Sequence, residues 1–159
     1  MNKDLIILIS ILSECEKHIE RMNFAYENIL YLFPLDSEKI IKLKKEEITF
    51  IDQFIYRFSK LQDAIGQKLF KAVLINLDEE VSNKSSIDIF NRLEQLEIIK
   101  DYDKWKYLRN IRNEISHEYE ENENELSEKL NLLFEKKNDL EKYFEDIKIY
   151  IEKKLKFKI

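Results

Sequence analysis

Residues 5–33 read LIILISILSECEKHIERMNFAYENILYLF, and their apolar side chains recur at alternating steps of three and four. That spacing places these side chains on one side of a long α-helix. They are Leu5, Leu8, Leu12, Cys15, Ile19, Met22, Tyr26, Ile29 and Phe33. Pro34 is expected to end the helix, and Asp36 or Ser37 to cap the next one.

The rest of the chain repeats this helical period between short polar connectors. A second long helix is predicted to run to about residue 75, with a break near 42–46. Gly66 lies inside it, where we expect the close approach of a neighbouring helix. Further on, the sequence predicts a loop over 77–86 ending in a serine cap, helices over 87–100 and 104–119, an acidic connector over 120–125, and a last helix carrying the apolar residues of 126–151.

Composition favours the same fold class. The 159 residues include one Gly and one Pro, whereas β proteins use many of both in their turns. We therefore predict an all-α protein, a single domain over 1–159 folded as an antiparallel up-and-down bundle of about five helices. The apolar run 5–12 is too short to span a bilayer, and it lacks the flanks of a signal peptide, so a cytoplasmic protein is expected.

Charge and cysteine content limit the function. The net charge of −5 argues against broad electrostatic binding of nucleic acid, and no DNA binding is expected. One cysteine and two histidines cannot form a zinc cage of the usual kind. Cys15 and His18 have the spacing C-x-x-H, but Cys15 falls on the apolar stripe and is predicted to be a buried core thiol. Neither a metal nor a cofactor is expected.

Residues 108–121, LRNIRNEISHEYEE, carry the most suggestive polar groups. A guanidinium such as that of Arg112 can bind phosphate oxygens with two parallel hydrogen bonds, and His117 can exchange a proton near neutral pH. Asn113 can orient the imidazole, and Arg109 can contact a phosphate. Residues 100–112 form a small basic island that suits a single phosphate group better than a long duplex.

These groups suffice for cleaving RNA without a metal, by attack of the ribose 2′-OH on the adjacent phosphate. On an ideal helix, however, Arg112 and His117 point about 140° apart. They would meet at one ligand only if the helix ended or distorted between them, or if a second chain supplied the partner group. The same residues also fit an ordinary solvated helix face.

The segment RNEISHEY (112–119) resembles the R-x4-H-x-Y signature of HepT-like toxins of the HEPN superfamily, which are encoded beside minimal nucleotidyltransferase antitoxins. YRFSKLQDAIGQKLF (56–70) is similar to the second-helix segment of such proteins. The resemblance implies a HEPN-like bundle that dimerises around the motif and acts as a metal-independent ribonuclease on RNA. It implies Arg112 and His117 as the catalytic pair, Asn113 as their polar support, and Tyr119 as the position to which the partner transferase attaches AMP.

Three functions stay open from the sequence. The first is a toxin-type endoribonuclease that forms a homodimer and is neutralised by a cognate nucleotidyltransferase. The second is a non-catalytic HEPN subunit that binds a nucleotide or substrate for that transferase. The third is a purely structural helical dimer.

Overall fold

The computed structural model describes residues 2–118 and 122–156, and for residues 116–118 it describes the backbone alone. All regular elements in these ranges are helical, and none of the described residues forms a strand, which confirms the all-α prediction. The elements are α1 (Lys3–Ile29), a 3-10 turn (Leu30–Leu32), α2 (Ser37–Ile41), α3 (Lys45–Asp63), a π-helical segment (Ala64–Leu69), α4 (Phe70–Asn76), α5 (Ser86–Gln95), α6 (Tyr102–Glu118), α7 (Glu123–Glu135) and α8 (Lys137–Leu155).

Helix α1 lies between two antiparallel neighbours. Along α3 and the π-segment, Glu14 pairs with Lys68, and the ring of Phe24 lies 5.8 Å from that of Phe50. Along α8, α1 is tied by side-chain hydrogen bonds from Asn23 to Glu141 at 2.8 Å and from Lys148 to Glu16 at 2.7 Å. The predicted apolar stripe of α1 therefore faces the centre of the bundle.

The N-terminal apolar run belongs to this first helix. Leu8 and Leu12 are fully buried in the core, whereas Ile6 and Ile7 are exposed. Within the described ranges, no helix is both long enough and apolar enough to cross a membrane.

Helix boundaries follow local capping. Asp36 caps α2 by accepting a hydrogen bond from the Lys39 amide at 2.8 Å, which decides between the two predicted caps. The predicted break near 42–46 lies between α2 and α3. Ser85 caps α5 in a capping box with Asp88, as the predicted serine cap required.

Two predicted helices have different bounds. The helix expected over 87–100 ends at Gln95, because the chain turns at Glu97, whose φ is 60°. The Ile98 amide then bonds to the Leu93 carbonyl at 3.0 Å, a Schellman-type end that lets Ile98 be buried. The single last helix expected for 126–151 is divided at Lys136 into α7 and α8, and α7 begins inside the predicted acidic connector.

The core is rich in aromatic rings. One group stacks around Phe134, with ring centroids 3.7 Å away at Phe33 and 4.3 Å away at Tyr26. A second group surrounds Trp105. Cys15 is fully buried, and burial raises the pKa of its thiol to about 12, which confirms the prediction of a core cysteine.

Candidate functional site

Helix α6 presents the predicted motif. Asp101 caps the helix by accepting from the Lys104 amide at 3.1 Å. Trp105, Leu108, Ile111 and Ile115 are buried and form its inner face. Because α6 is α-helical without interruption from Tyr102 to Glu118, the backbone does not end or distort between residues 112 and 117.

Arg112 lies at the boundary between α6 and α3. Its Nη1 donates to Asp63 Oδ1 at 2.5 Å and to the Ser59 carbonyl at 3.4 Å. The side chain is only 17% exposed. Arg112 lies off the buried face of α6, yet its side chain is mostly buried against α3. The guanidinium ties two helices together.

Asn113 supports the arginine. Its side-chain carbonyl accepts from Arg112 Nε at 3.2 Å and from Nη2 at 3.0 Å. The sequence assigned Asn113 to orient the imidazole of His117, whose side chain lies outside the described residues. In the described part of the site, Asn113 and Asp63 together fix the plane of the guanidinium.

Asp63 is the site residue that the sequence analysis did not single out. It is the last residue of α3, directly before the π-segment Ala64–Leu69. Its partner is 49 positions away in sequence, so no local spacing connects the two. The signal in the sequence was the segment 56–70, which the sequence analysis singled out and which contains Asp63. The structure adds the π-segment, since π-helical turns occur frequently at functional sites.

Gly66, inside the π-segment, brings α3 and α6 together. A Cβ atom at this position would come within 3.0 Å of Trp105 Cζ2, closer than real Cβ atoms normally approach. The prediction that Gly66 admits a neighbouring helix is therefore confirmed. The contact lies two helical turns from Arg112 along α6, so it helps to set how Arg112 meets Asp63.

A buried amide adjoins this site. Gln62 precedes Asp63 and is 2% exposed, and neither its Nε2 nor its Oε1 has a hydrogen-bond partner in the described structure. An unsatisfied buried polar group costs about 1–3 kcal/mol. The end of α3 therefore buries a polar side chain in an otherwise apolar core, directly beside the residue that binds Arg112.

The other predicted site residues are placed only in part. Arg109 is exposed on α6, three residues before Arg112, where the two side chains share one face. His117 lies on the helical backbone of α6, while its side chain is not described. Tyr119, the predicted AMP attachment position, lies outside the described residues.

The second histidine belongs to a separate cluster on α1. Arg57 Nη1 lies 3.0 Å from His18 Nδ1, and Glu14 Oε2 lies 3.5 Å from His18 Nε2. Arginine can only donate, so Nδ1 accepts, and the proton of the neutral ring is on Nε2, toward Glu14. Burial lowers the pKa of His18, and the nearby charge of Arg57 lowers it further.

This cluster predicts a pH dependence of stability. The groups facing His18 are Glu14 on α1, Arg57 and Lys60 on α3, and Lys68, which pairs with Glu14. Since the folded-state pKa of His18 is below the unfolded value near 6.5, the unfolded chain binds more protons, and stability falls as pH drops below that value.

Urea unfolding at pH 7.5 and 5.5 should show this loss of stability at the lower pH. His18→Gln, which keeps a hydrogen-bonding side chain and leaves His117 in place, should flatten it. An unchanged slope in this variant would contradict the assignment.

No family model, curated protein or solved structure matches this chain. Among the described residues, no three His, Cys, Asp or Glu side chains are grouped so that they could hold a metal ion. The candidate site therefore consists of Arg112 with its anchors Asp63 and Asn113, the exposed Arg109, and the helical segment that carries His117.

Proposed function

We propose that this chain is the toxin of a toxin–antitoxin system, a metal-independent endoribonuclease of the HEPN type that a partner nucleotidyltransferase neutralises. The observation that carries the proposal is the anchored Arg112. Its guanidinium is held by α3 and by Asn113, on the same unbroken helix as His117. A fixed cation and a titratable imidazole on one helix are two of the groups that RNA cleavage by 2′-OH attack requires.

The proposed reaction needs only an acid, a base and a cation. A base takes the proton of the ribose 2′-OH, and the oxygen attacks the adjacent phosphorus. The bond from phosphorus to O5′ breaks while an acid protonates the leaving oxygen, giving a 2′,3′-cyclic phosphate and a 5′-OH. Arg112 stabilises the charge of the phosphorane, His117 serves as acid or base, and Arg109 contacts a flanking phosphate.

A homodimer completes this proposal. On a continuous helix Arg112 and His117 point about 140° apart, so one protomer does not bring both side chains to the same phosphate. With α6 unbroken between them, the remaining way to bring both groups to one phosphate is a second copy across a two-fold axis. We therefore assign the active site to a cleft shared by two protomers.

The Arg112–Asp63 pair also favours a second candidate. A guanidinium already bound by a carboxylate, a backbone carbonyl and an amide oxygen suits a structural tie. In that case the chain is a non-catalytic subunit that presents a nucleotide or substrate to the transferase, and the basic island 100–112 forms its contact. A purely structural helical dimer, the third function left open by the sequence, would also be consistent with this tie.

The deciding experiment is cleavage by the purified protein. Single-stranded RNA incubated with the chain in EDTA should yield fragments with 2′,3′-cyclic phosphate ends, and expression without the transferase should arrest growth. Intact RNA together with normal growth would favour the non-catalytic candidate. Cleavage that EDTA abolishes would contradict the metal-independent mechanism.

Attachment of AMP at Tyr119 is the proposed neutralising step. On a helix continued to residue 119, Tyr119 would return to the face of Arg112, seven residues earlier, so its added phosphodiester would compete with RNA for the guanidinium. Co-expression with the transferase should add the mass of AMP to the Tyr119 peptide and abolish toxicity. Tyr119→Phe should lose the modification and regain toxicity. An unmodified Tyr119 in a neutralised complex would mean inhibition by binding alone.

A further inference from the structure

Tyr56 is an exposed aromatic residue on α3, the helix whose Ser59 and Asp63 hold Arg112. It precedes Ser59 by three residues and Asp63 by seven, spacings that place all three on one face of α3. Half of the tyrosine, 50%, is exposed to solvent. Its ring therefore borders the surface at which Arg112 meets α3.

Counting along the two helices from the Arg112 contact places Tyr56 at about the same level as the segment that carries His117. Gly66, in the π-segment that continues α3, contacts Trp105 of α6, and the earlier residues Ser59 and Asp63 contact the later residue Arg112. Because residue numbers fall along one helix as they rise along the other, the two helices run antiparallel. Residue 117 is five positions beyond Arg112. Both helices rise about 1.5 Å per residue, so five residues cover the same length on each. Counting five positions back from Ser59 and Asp63 gives residues 54 and 58, and Tyr56 is midway between them.

Two positively charged side chains lie over this ring. The Arg57 guanidinium carbon lies 5.3 Å from the ring centroid, and Lys60 Nζ lies 5.5 Å from it. Both distances fall within the range of cation–π contacts. Proteins bind single-stranded nucleic acid where bases stack on aromatic rings and nearby cations attract the phosphates. A base stacked on Tyr56 would take the place of the exposed Lys60 ammonium over the ring.

Exposure alone would not distinguish this tyrosine, because single exposed aromatic residues are common on protein surfaces. Tyr107 is 45% exposed, and Lys136 Nζ lies 6.0 Å from its ring centroid. Tyr107, however, lies on the edge of α6 that faces the junction of α7 and α8, away from Arg112. Tyr56 combines the ring, two cations and the position next to the site.

We propose that Tyr56 is the platform on which an unpaired base of the RNA stacks, next to the phosphate held by Arg112. The inference rests on the proposed function and specifies its substrate class as single-stranded RNA. In an RNA duplex the bases are stacked inside the helix and cannot reach the ring. Lys60 contacts the backbone of the stacked nucleotide.

Binding and cleavage test this platform separately. In the His117→Ala background, a short single-stranded RNA that carries one 2-aminopurine should show fluorescence quenching on binding. Tyr56→Ala should weaken binding roughly five- to 150-fold, the range found when stacking aromatic residues are replaced by alanine. Tyr56→Phe should bind as the parent protein does, and Tyr107→Ala is the matched control. In the active protein, Tyr56→Ala should raise KM and change kcat little.

The outcomes separate the platform from the proposed nuclease. RNA binding that depends on Tyr56 without any cleavage would support the platform and contradict the proposed nuclease activity. Cleavage that depends on His117 but not on Tyr56 would keep the nuclease and overturn the platform. The platform would also be overturned if Tyr56→Ala lost no more RNA affinity than Tyr107→Ala, or if Tyr56→Phe bound RNA as weakly as Tyr56→Ala. Equal binding of duplex RNA would overturn it too, as would a parent protein that does not bind single-stranded RNA.

Discussion

His117→Ala is expected to lower the rate of RNA cleavage by roughly 10²- to 10⁴-fold, the usual effect of removing a general acid–base group. Growth arrest on expression should disappear with it. The measurement is the initial rate of fragment formation from single-stranded RNA in EDTA, with folding checked by circular dichroism. A His117→Ala protein that cleaves RNA at the parent rate would contradict the proposed nuclease mechanism.

Arg112 needs a different design, because it is also a structural tie. Arg112→Ala should abolish cleavage, but it also leaves the partly buried Asp63 carboxylate without its cation, so stability should fall as well. Asp63→Ala is the matched variant that breaks the same ion pair and keeps the arginine. If Arg112 acts on phosphate, Arg112→Ala should lose far more activity than Asp63→Ala at equal loss of stability. Equal losses of activity would assign Arg112 a structural role only.

Mixing variants tests the shared cleft directly. If each site takes Arg112 from one protomer and His117 from the other, Arg112→Ala and His117→Ala chains mixed equally give half heterodimers, each with one intact site. Roughly a quarter of the parent activity should return. A mixture as inactive as its components would mean that both residues act within one protomer. His18→Gln is the control for a histidine outside the site, since His18 contacts Arg57 rather than Arg112.

Much of the fold could be predicted from local patterns. The stripe of α1, the buried Cys15, the caps at Asp36 and Ser85, and the close approach at Gly66 all follow from spacing or from one residue's chemistry. The end of α5 could not be placed, because burial of Ile98 after the turn at Glu97 outweighs the helical pattern that continues to residue 100. Tertiary packing, rather than helix propensity, therefore decides where α5 ends.

The candidate site was predictable in its residues but not in its contacts. The motif indicated Arg112, Asn113 and His117 by type and spacing. It could not indicate that Asp63 and the Ser59 carbonyl would hold the guanidinium, because those contacts join positions 49 and 53 residues apart. The π-segment that follows Asp63 also has no signature in the sequence. The functional roles of Arg112, Asn113, Arg109, His117 and Tyr119 all stay predictions.

Trp105→Ala should produce the largest loss of stability, about 3–5 kcal/mol. Trp105 is 6% exposed, and its ring centroid lies 5.1 Å from those of both Phe70 and Tyr143. It also fills the space that Gly66 leaves open on the π-segment. Truncation would therefore open a cavity where α6 meets the π-segment, α4 and α8. Such a loss is a large share of the 5–15 kcal/mol that stabilises a typical domain.

Because Trp105 sets how α6 rests on α3, its loss should also loosen the Arg112–Asp63 contact two turns away, and cleavage should decline with it. Urea unfolding followed by far-UV circular dichroism is the measurement, since Trp105 is the only tryptophan and fluorescence would vanish with it. Protein concentration must be held constant, because dimer formation adds to apparent stability. Trp105→Phe keeps most of the aromatic packing and should lose much less. If Trp105→Ala unfolded at the parent urea concentration, the Gly66–Trp105 contact would not be what positions α6, and the anchoring of Arg112 would not depend on it.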